Sequence, residues 1–586
     1  MKTSLEDLYI LALDCQTTGA NPENGHLLEV GWVKARASDF DKPEDLEPQA
    51  YLARLPAAAE IPRTVSRITG IGEDDLKTAS DPRRLWHKLI RVGRDVALNN
   101  HNDRCPAIIH FARFEEPFLR DLHHKYQSPE AFPFHLICTH EIARRLLPDL
   151  PRRGLRAIAG FFGHSMPEFR RSADHALATV LIWKNLVTLL KQEADIVSLE
   201  QLMDWMESNM PRARLRRSYP MDPEIRRNLP DQPGVYRMLR SNGDVLYIGK
   251  AKSLKRRVNS YFRQSGSPAE HILEMLTQAY DLDFTETGSA LEAAILESDE
   301  IKCQSPPYNV ALRTGQRDLV FCDKELQNFV HKADADHPIG PLPAGNLNEA
   351  MTAFADLIKA QTNMSPAKLE KIADTLLGVP AEYAPEQECQ LEGLEVFRHR
   401  HYNVLEQGHP LKVITGLGTM LWRERLEQQE LEAGQEDDSD GTEMQHPDKQ
   451  EHVWTPEDVA SVIESVIRRA AHLIRRSRWF CILSEASLAW TSPFVGDQDR
   501  ILISLKAGAV ARREKLKADE TVPAPSNYAS PADRRKQNID LTTYDRLRVL
   551  TTELRRLVAE DRRIELRLRP TAMLGNPELK KVLRWV

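Results

Sequence analysis

The sequence predicts an α/β chain of several domains, and three observations carry that reading. At 586 residues the chain exceeds what one hydrophobic core organises. Short apolar runs alternate with helix-patterned stretches through the first 190 residues. Near residue 233 the pattern changes to paired short strands, and past 345 it becomes mostly helical before a final mixed segment.

Taken in order, residues 8–14 (LYILALD) read as a strand, followed by a turn with Gly and Asn and a second strand, HLLEVGWV, giving a hairpin. Helical patterning dominates 85–190, interrupted by short apolar runs such as AIIHF, and ends in a long apolar helix around 174–191. An arginine-rich connector occupies 193–229. The runs PGVYRMLR and DVLYIG are joined by Ser-Asn-Gly-Asp, a strong hairpin signal. Helices at 251–262 and 268–280, a strand DLDFTET and a helix at 289–302 follow. Beyond 312 the signals weaken, and 345–430 reads as mostly helical.

The acidic, polar stretch 432–453 reads as a disordered linker. At Thr455 a helix opens with a cap, Pro456 at its first position and Asp458 completing a capping box. Apolar residues at 459, 462, 463, 466, 467, 470, 473 and 474 mark its buried face. Strand-like runs FCILSEASLAW, RILISL and RIELRLR, a helix near 543–559 and a polar loop at 513–539 complete an α+β domain. The expected division is 1–192, 193–229, 230–312, 313–431, 432–453 and 454–586.

Composition excludes several classes. No run approaches the roughly 20 apolar residues of a membrane helix, and the N-terminus lacks secretory-signal features. Seven scattered cysteines with no CxxC pair argue against a disulfide framework or a zinc site and fit a reducing cytoplasm. The net charge of −7 hides segregation: residues 250–263 carry six basic side chains and no acid. Such a local field suits a polyanion.

The clearest chemistry lies in GVY (234–236) and YIGK (247–250), with Arg257 ten residues after Tyr247, Glu297 in LEAAILESDEIK, and PPYN ending at Asn309. Hydrolysing a phosphodiester needs an activated water, charge stabilisation at the phosphoryl oxygens and help for the leaving oxygen. Tyr247, with an ordinary phenol pKa of about 10, becomes a base only beside a cation, for which Lys250 is the candidate. Arg257 offers a forked donor for a phosphate oxygen. Glu297 would be the sole protein carboxylate on Mg²⁺ or Mn²⁺. Singly, these residues also read as strand aromatics and surface charges, and their joint order and spacing carries the signal. The span resembles the GIY-YIG nuclease of the bacterial excinuclease subunit UvrC and its Cho-type homologues. That resemblance implies the same roles for Tyr236, Tyr247, Lys250, Arg257 and Glu297, with Tyr261 and Asn309 in support. Lys252, Lys255, Arg256 and Arg263 then form a DNA-binding face.

Residues 8–190 resemble the DnaQ-type (DEDDh) 3′–5′ exonuclease, a ribonuclease-H-like fold. The resemblance rests on LYILALDCQTTGANP, IPRTVSRITGIGEDDL, ICTHEIARRLLPDL with LRAIAGFFGHSM, and ADHALATVLIW. That chemistry uses four carboxylates around two metal ions and a histidine base. Here Asp14 and Glu115 stand at carboxylate positions, but Gln16 replaces an acid. Arg170 falls at the histidine position and His175 at the last aspartate position, with Asp174 beside it. The expectation is a degenerate exonuclease kept as a DNA- or protein-binding platform.

The resemblances imply a DNA endonuclease of nucleotide excision repair making a single Cho-type nick, with DNA and a UvrB–DNA complex as partners. The rivals are a 3′–5′ exonuclease acting through the N-terminal domain and a non-catalytic DNA-binding scaffold. The basic face of the helix after Thr455 (Arg468, Arg469, Arg475, Arg476, Arg478) reads as solvated, and His472 as packing or surface.

Overall fold

A computed structural model describes residues 3–38, 46–57, 59–126, 130–167, 170–208, 217–263, 268–309, 318–359, 364–379, 384–406, 408–433, 454–491, 499–525, 539–560 and 562–586. They divide into two compact units, Met1–Glu286 with Pro306–Val310, and Thr287–Ser305 with Ala311–Val586.

The first unit opens with a five-stranded sheet: β1 (Ile10–Thr17), β2 (Leu27–Ala35), β3 (Gln49–Leu52), β4 (Cys105–Ile109) and β5 (Phe134–Cys138). The order is β3-β2-β1-β4-β5, with β1 to β3 antiparallel and β4 and β5 parallel to β1. This is the ribonuclease-H-like α/β arrangement expected. β1 is a continuous apolar run because both faces are covered. One face packs under helix Ser172–Ala194 with Trp183, the other under helix Pro82–Asn99 with Trp86 and Leu89.

The start of helix Ser172–Ala194 is fixed to β2. Ser172 donates from its backbone N–H and its Oγ to Glu29 Oε2 at 2.8 and 2.7 Å, and Arg171 Nε donates to Glu29 Oε1 at 3.0 Å. Gly31 permits this approach, since a Cβ there would lie 2.6 Å from the Ser172 carbonyl carbon. Within the expected connector, residues Leu199–Glu207 and Pro223–Arg227 are helical, and 209–216 lie outside the described residues.

A second, three-stranded antiparallel sheet follows, from β6 (Gly234–Leu239), β7 (Val245–Ala251) and β8 (Asp281–Glu286), in the order β7-β6-β8. Gly243, at φ 88°, turns the hairpin, and Asn242 Oδ1 accepts from the Asp244 N–H at 3.0 Å. Helix Leu254–Tyr261 is capped by Ser253, and helix Glu270–Gln278 packs on helix Leu155–Phe161 of the preceding sheet domain. A Cβ at Gly160 would lie 1.8 Å from Gln278 Oε1, so only glycine admits this contact. Gln278 is fully buried there and accepts from Arg240 Nε and Nη2 at 3.2 and 3.1 Å. Arg152 pairs with Glu270 at 2.7 Å, and the rings of Phe161 and Tyr280 lie 5.6 Å apart.

The second unit contains helix Ala290–Gln304 and a small sheet of β9 (Leu319–Cys322), β10 (Phe329–Val330) and β11 (Ile339–Pro343), then helices from Asn346 to Ala433. Helix Pro456–Leu483 starts with the anticipated capping box between Thr455 and Asp458. A five-stranded antiparallel sheet closes the unit: β12 (Ser487–Thr491), β13 (Asp499–Lys506), β14 (Ala509–Lys517), β15 (Ile564–Arg569) and β16 (Ala572–Leu574).

Two expectations are corrected. The run FCIL does not start a strand: Phe480 and Leu483 continue the buried helical stripe of Ile467 and Ile474, and β12 starts at Ser487. The polar loop expected from 513 begins inside β14, an edge strand whose charged residues mask its extended character. Residues 526–538 of that loop and 434–453 of the expected linker lie outside the described residues. Among the described residues no helix is long and apolar enough to cross a membrane.

Candidate active site

The β6/β7 register sets Met238 opposite Tyr247 and Tyr236 opposite Gly249. Residues two apart share a face, so Tyr236 and Tyr247 are diagonal neighbours on one side of the ribbon. Their ring centroids are 6.1 Å apart, and Tyr261, from helix Leu254–Tyr261, completes a trio at 6.3 and 6.4 Å. The Tyr236 ring lies across Gly249, where a Cβ would come within 2.4 Å of Tyr236 Oη and 2.7 Å of a Tyr247 ring carbon. The glycine of the YIG run is thus the floor on which both phenols rest.

Tyr236 is 0% exposed, and its hydroxyl lies 2.9 Å from that of Tyr261. Burial first, then the two neighbouring phenols, pushes the Tyr236 hydroxyl well above its ordinary range, so it stays protonated. One turn before Tyr261, Arg257 Nη2 donates to the Tyr261 hydroxyl at 3.0 Å, and the guanidinium sits 4.8 Å from the ring centroid. Hydroxyl, hydroxyl and guanidinium form one connected chain.

β7 is a sheet edge, and the Asn309 side chain completes it. Ile248 N–H donates to Asn309 Oδ1 at 2.9 Å, and Asn309 Nδ2 donates to the Ile248 carbonyl at 2.8 Å. Asn309 is 6% exposed, and the Tyr308 N–H donates to the Leu246 carbonyl at 3.1 Å. Asn309 is a positioning residue for the strand that bears Tyr247.

At the other candidate site, β1 brings Asp14 to the centre of the first sheet. Asp14 Oδ2 accepts from Gln16 Nε2 at 2.7 Å, and Asp14 Oδ1 lies 3.0 Å from His175 Nδ1. His175, not Asp174, therefore meets Asp14, because the Glu29 anchor fixes the helix register. Glu115 is buried beside them, with Oε2 lacking a hydrogen-bond partner. Burial, then the Asp14 charge, pushes its carboxyl well above the usual carboxylate range. Arg170 is exposed, and its backbone N–H donates to Ile68 O at 3.0 Å. Both Asp14 oxygens are engaged by protein groups, and Gln16 brings an amide where a two-metal site uses a charged oxygen ligand. Among the described residues no group of three or more His, Cys, Asp or Glu is placed to hold a metal ion.

Residues 232–310 match the UvrC-like GIY-YIG domain. The UvrABC system protein C of Nitrosococcus oceani is 54% identical over 88 residues, 15% of this chain and 14% of that protein. The chain thus covers about one seventh of this curated relative's length. The GIY-YIG N-terminal endonuclease domain of UvrC from Thermotoga maritima, solved with magnesium as its catalytic divalent cation, is 34% identical. That match covers 15% of this chain and all of that one, with a TM-score of 0.14. Exonuclease X, solved with 5′-overhanging duplex DNA, is 17% identical, covering 34% of this chain and 99% of that one, with a TM-score of 0.23.

In this GIY-YIG domain Lys252, Lys255, Arg256 and Arg263 are exposed, and Arg256 also reaches Asp231 at 3.4 Å. Lys250 pairs with Val235 in the ladder, so strand alternation starts it on the opposite side of the ribbon from Tyr247. Arg257 is a cation placed at the phenols and interacts electrostatically with all three. Glu297 is half-buried on helix Ala290–Gln304 of the second unit. Sequence reading missed the Gly249 floor and the Glu29–Arg171 anchor. The second arginine in FRRSADH was a usable signal, since an arginine beside a helix start seeks a carboxylate.

Proposed function

We propose that the chain is a metal-dependent DNA endonuclease that hydrolyses one phosphodiester bond at the GIY-YIG domain during nucleotide excision repair. The observation that carries this reading is the connected set of Tyr236, Tyr261 and Arg257 stacked with Tyr247 over Gly249. Tyr247, half-exposed beside a guanidinium, is the phenol suited to take a proton from the attacking water. Arg257 donates to a phosphoryl oxygen, and Lys250 adds charge at the ribbon end. Glu297 would hold Mg²⁺ or Mn²⁺, and a single carboxylate with waters fits an ion that sheds water reluctantly. Such an ion, when bound, supplies charge stabilisation at the phosphoryl and leaving oxygens. The exposed basic residues of 252–263 track the backbone, and a UvrB–DNA complex delivers the damaged duplex for a single nick.

We further infer that the N-terminal domain is a retired exonuclease serving as a platform. The engaged Asp14 oxygens and the amide of Gln16 favour this. The test compares wild type with Tyr247→Phe, Glu297→Gln and Asp14→Asn on end-labelled damaged duplex, with and without UvrB. Loss of internal nicks by about a hundredfold or more in the first two variants alone is expected. Degradation from 3′ ends that only Asp14→Asn abolishes would overturn both readings.

A further inference from the structure

Helices Pro410–Ala433 and Pro456–Leu483 of the second unit cross closely because residue 418 is glycine. A Cβ there would lie 2.3 Å from Ala471 Cβ and 2.9 Å from the Ile467 carbonyl oxygen. This approach lays the Trp422 ring on His472, with centroids 5.6 Å apart and planes 15° from parallel. Arg475 donates to Thr419 Oγ1 across the crossing. Trp585 is covered by two guanidiniums, Arg475 at 5.0 Å and Arg423 at 5.7 Å from its centroid.

On the later helix Arg468, His472, Arg475 and Arg476 share one face, and the three arginines are half-buried rather than solvated. Arg425 stands close enough to Arg468, and Arg423 to Arg475, that after burial each neighbour's charge holds these guanidiniums below their ordinary range. Among the described side chains Arg475 and Arg476 have no carboxylate at ion-pair distance, while Arg468 is also acted on by Glu464. Glu464, one turn before Arg468 on the same helix, is shared with Arg400 at 2.8 Å and His401 at 2.9 Å.

Like charges packed with too few counter-charges destabilise one another, and a polyanion relieves that. Guanidinium forks already held against indole and hydroxyl groups lose little freedom on meeting phosphate oxygens. We infer that this arginine–tryptophan face binds the phosphodiester backbone of DNA, independently of base sequence. The choice of DNA as the polyanion rests on the endonuclease reading, whereas the site itself rests on the geometry above.

The test uses the full chain and a fluorescent 30-mer duplex in EDTA, with anisotropy read across a salt series. Arg423→Glu/Arg425→Glu is expected to weaken binding at least tenfold and to lower the slope of log K against log salt by about two. Arg423→Lys/Arg425→Lys, which keeps the charge, is expected to stay within a fewfold of wild type and guards against misfolding. An unchanged slope in the glutamate variant overturns the site, even if nicking proceeds. A lowered slope in a chain that never nicks upholds the site and removes the endonuclease reading alone. Binding lost for phosphatidylserine vesicles but not for the duplex overturns the choice of DNA.

Discussion

Asn309 stands in for a missing strand. Its carboxamide accepts from the Ile248 N–H at 2.9 Å and donates to the Ile248 carbonyl at 2.8 Å, the exchange a neighbouring strand would make. Asn309→Ala leaves both groups without partners, at a cost of about 2–3 kcal/mol. Nicking should fall with stability, because the strand bearing Tyr247 loses its edge. A thermal melt identical to wild type would show that the bracket holds nothing.

Gly249→Ala places a methyl 2.4 Å from the Tyr236 hydroxyl. The ring cannot retreat, being fully buried. Overpacking should cost about 1–3 kcal/mol, and displacement of the phenols should lower the single-turnover nicking rate about a hundredfold. A rate within threefold of wild type would mean that the floor is dispensable.

Tyr261→Phe removes the hydroxyl joining Tyr236 to Arg257. The expected outcome is a loss of about tenfold in nicking, or about 1.4 kcal/mol, with the alkaline limb of the pH–rate profile unmoved. Tyr247→Phe should abolish the rate. A shifted alkaline limb in Tyr261→Phe would make Tyr261 the titrating group instead.

Glu29 and Glu115 should respond to pH in opposite senses. Burial raises the Glu29 carboxyl, but its bonds with Arg171 and Ser172 outweigh that and bring it below 4.5. Its contribution is present above pH 4.5 and is lost as pH falls through the lower folded value. Glu115 is raised by burial and Asp14, so its contribution is full below 4.5 and fades as pH rises toward the folded value. In urea titrations read by hydrogen exchange in β1 and β2, Glu29→Gln should lie nearest wild type in acid. Glu115→Gln should gain on wild type as pH rises above 4.5. A constant gap in either series would refute that assignment.

Local signals predicted much of this structure. Asn242-Gly243 gave a hairpin, Thr455 and Asp458 gave a capping box, and strand alternation gave Tyr236 and Tyr247 a common face. Long-range geometry was not legible. Asn309 acts across 61 residues, and nothing in PPYN says that its amide will pair with a strand. Lys250 was the nearest cation to Tyr247 in sequence, whereas Arg257, which helix Leu254–Tyr261 also brings to the phenols, is legible only once that helix is folded against the ribbon. Phe480–Leu483 misled because a short apolar run has no period of its own until the preceding helix extends into it.

The packing of Gly160 onto Gln278 bears on how such a chain can be trimmed by evolution. Arg240 and Gln278, both buried under the N-terminal domain, would face water if residues 1–192 were deleted. The sheet domain, whatever it does by itself, is also a wall of the room next door. Selection on the GIY-YIG domain alone would preserve Gly160 and its helix, whatever became of Asp14, so mutational drift should be arrested at this seam.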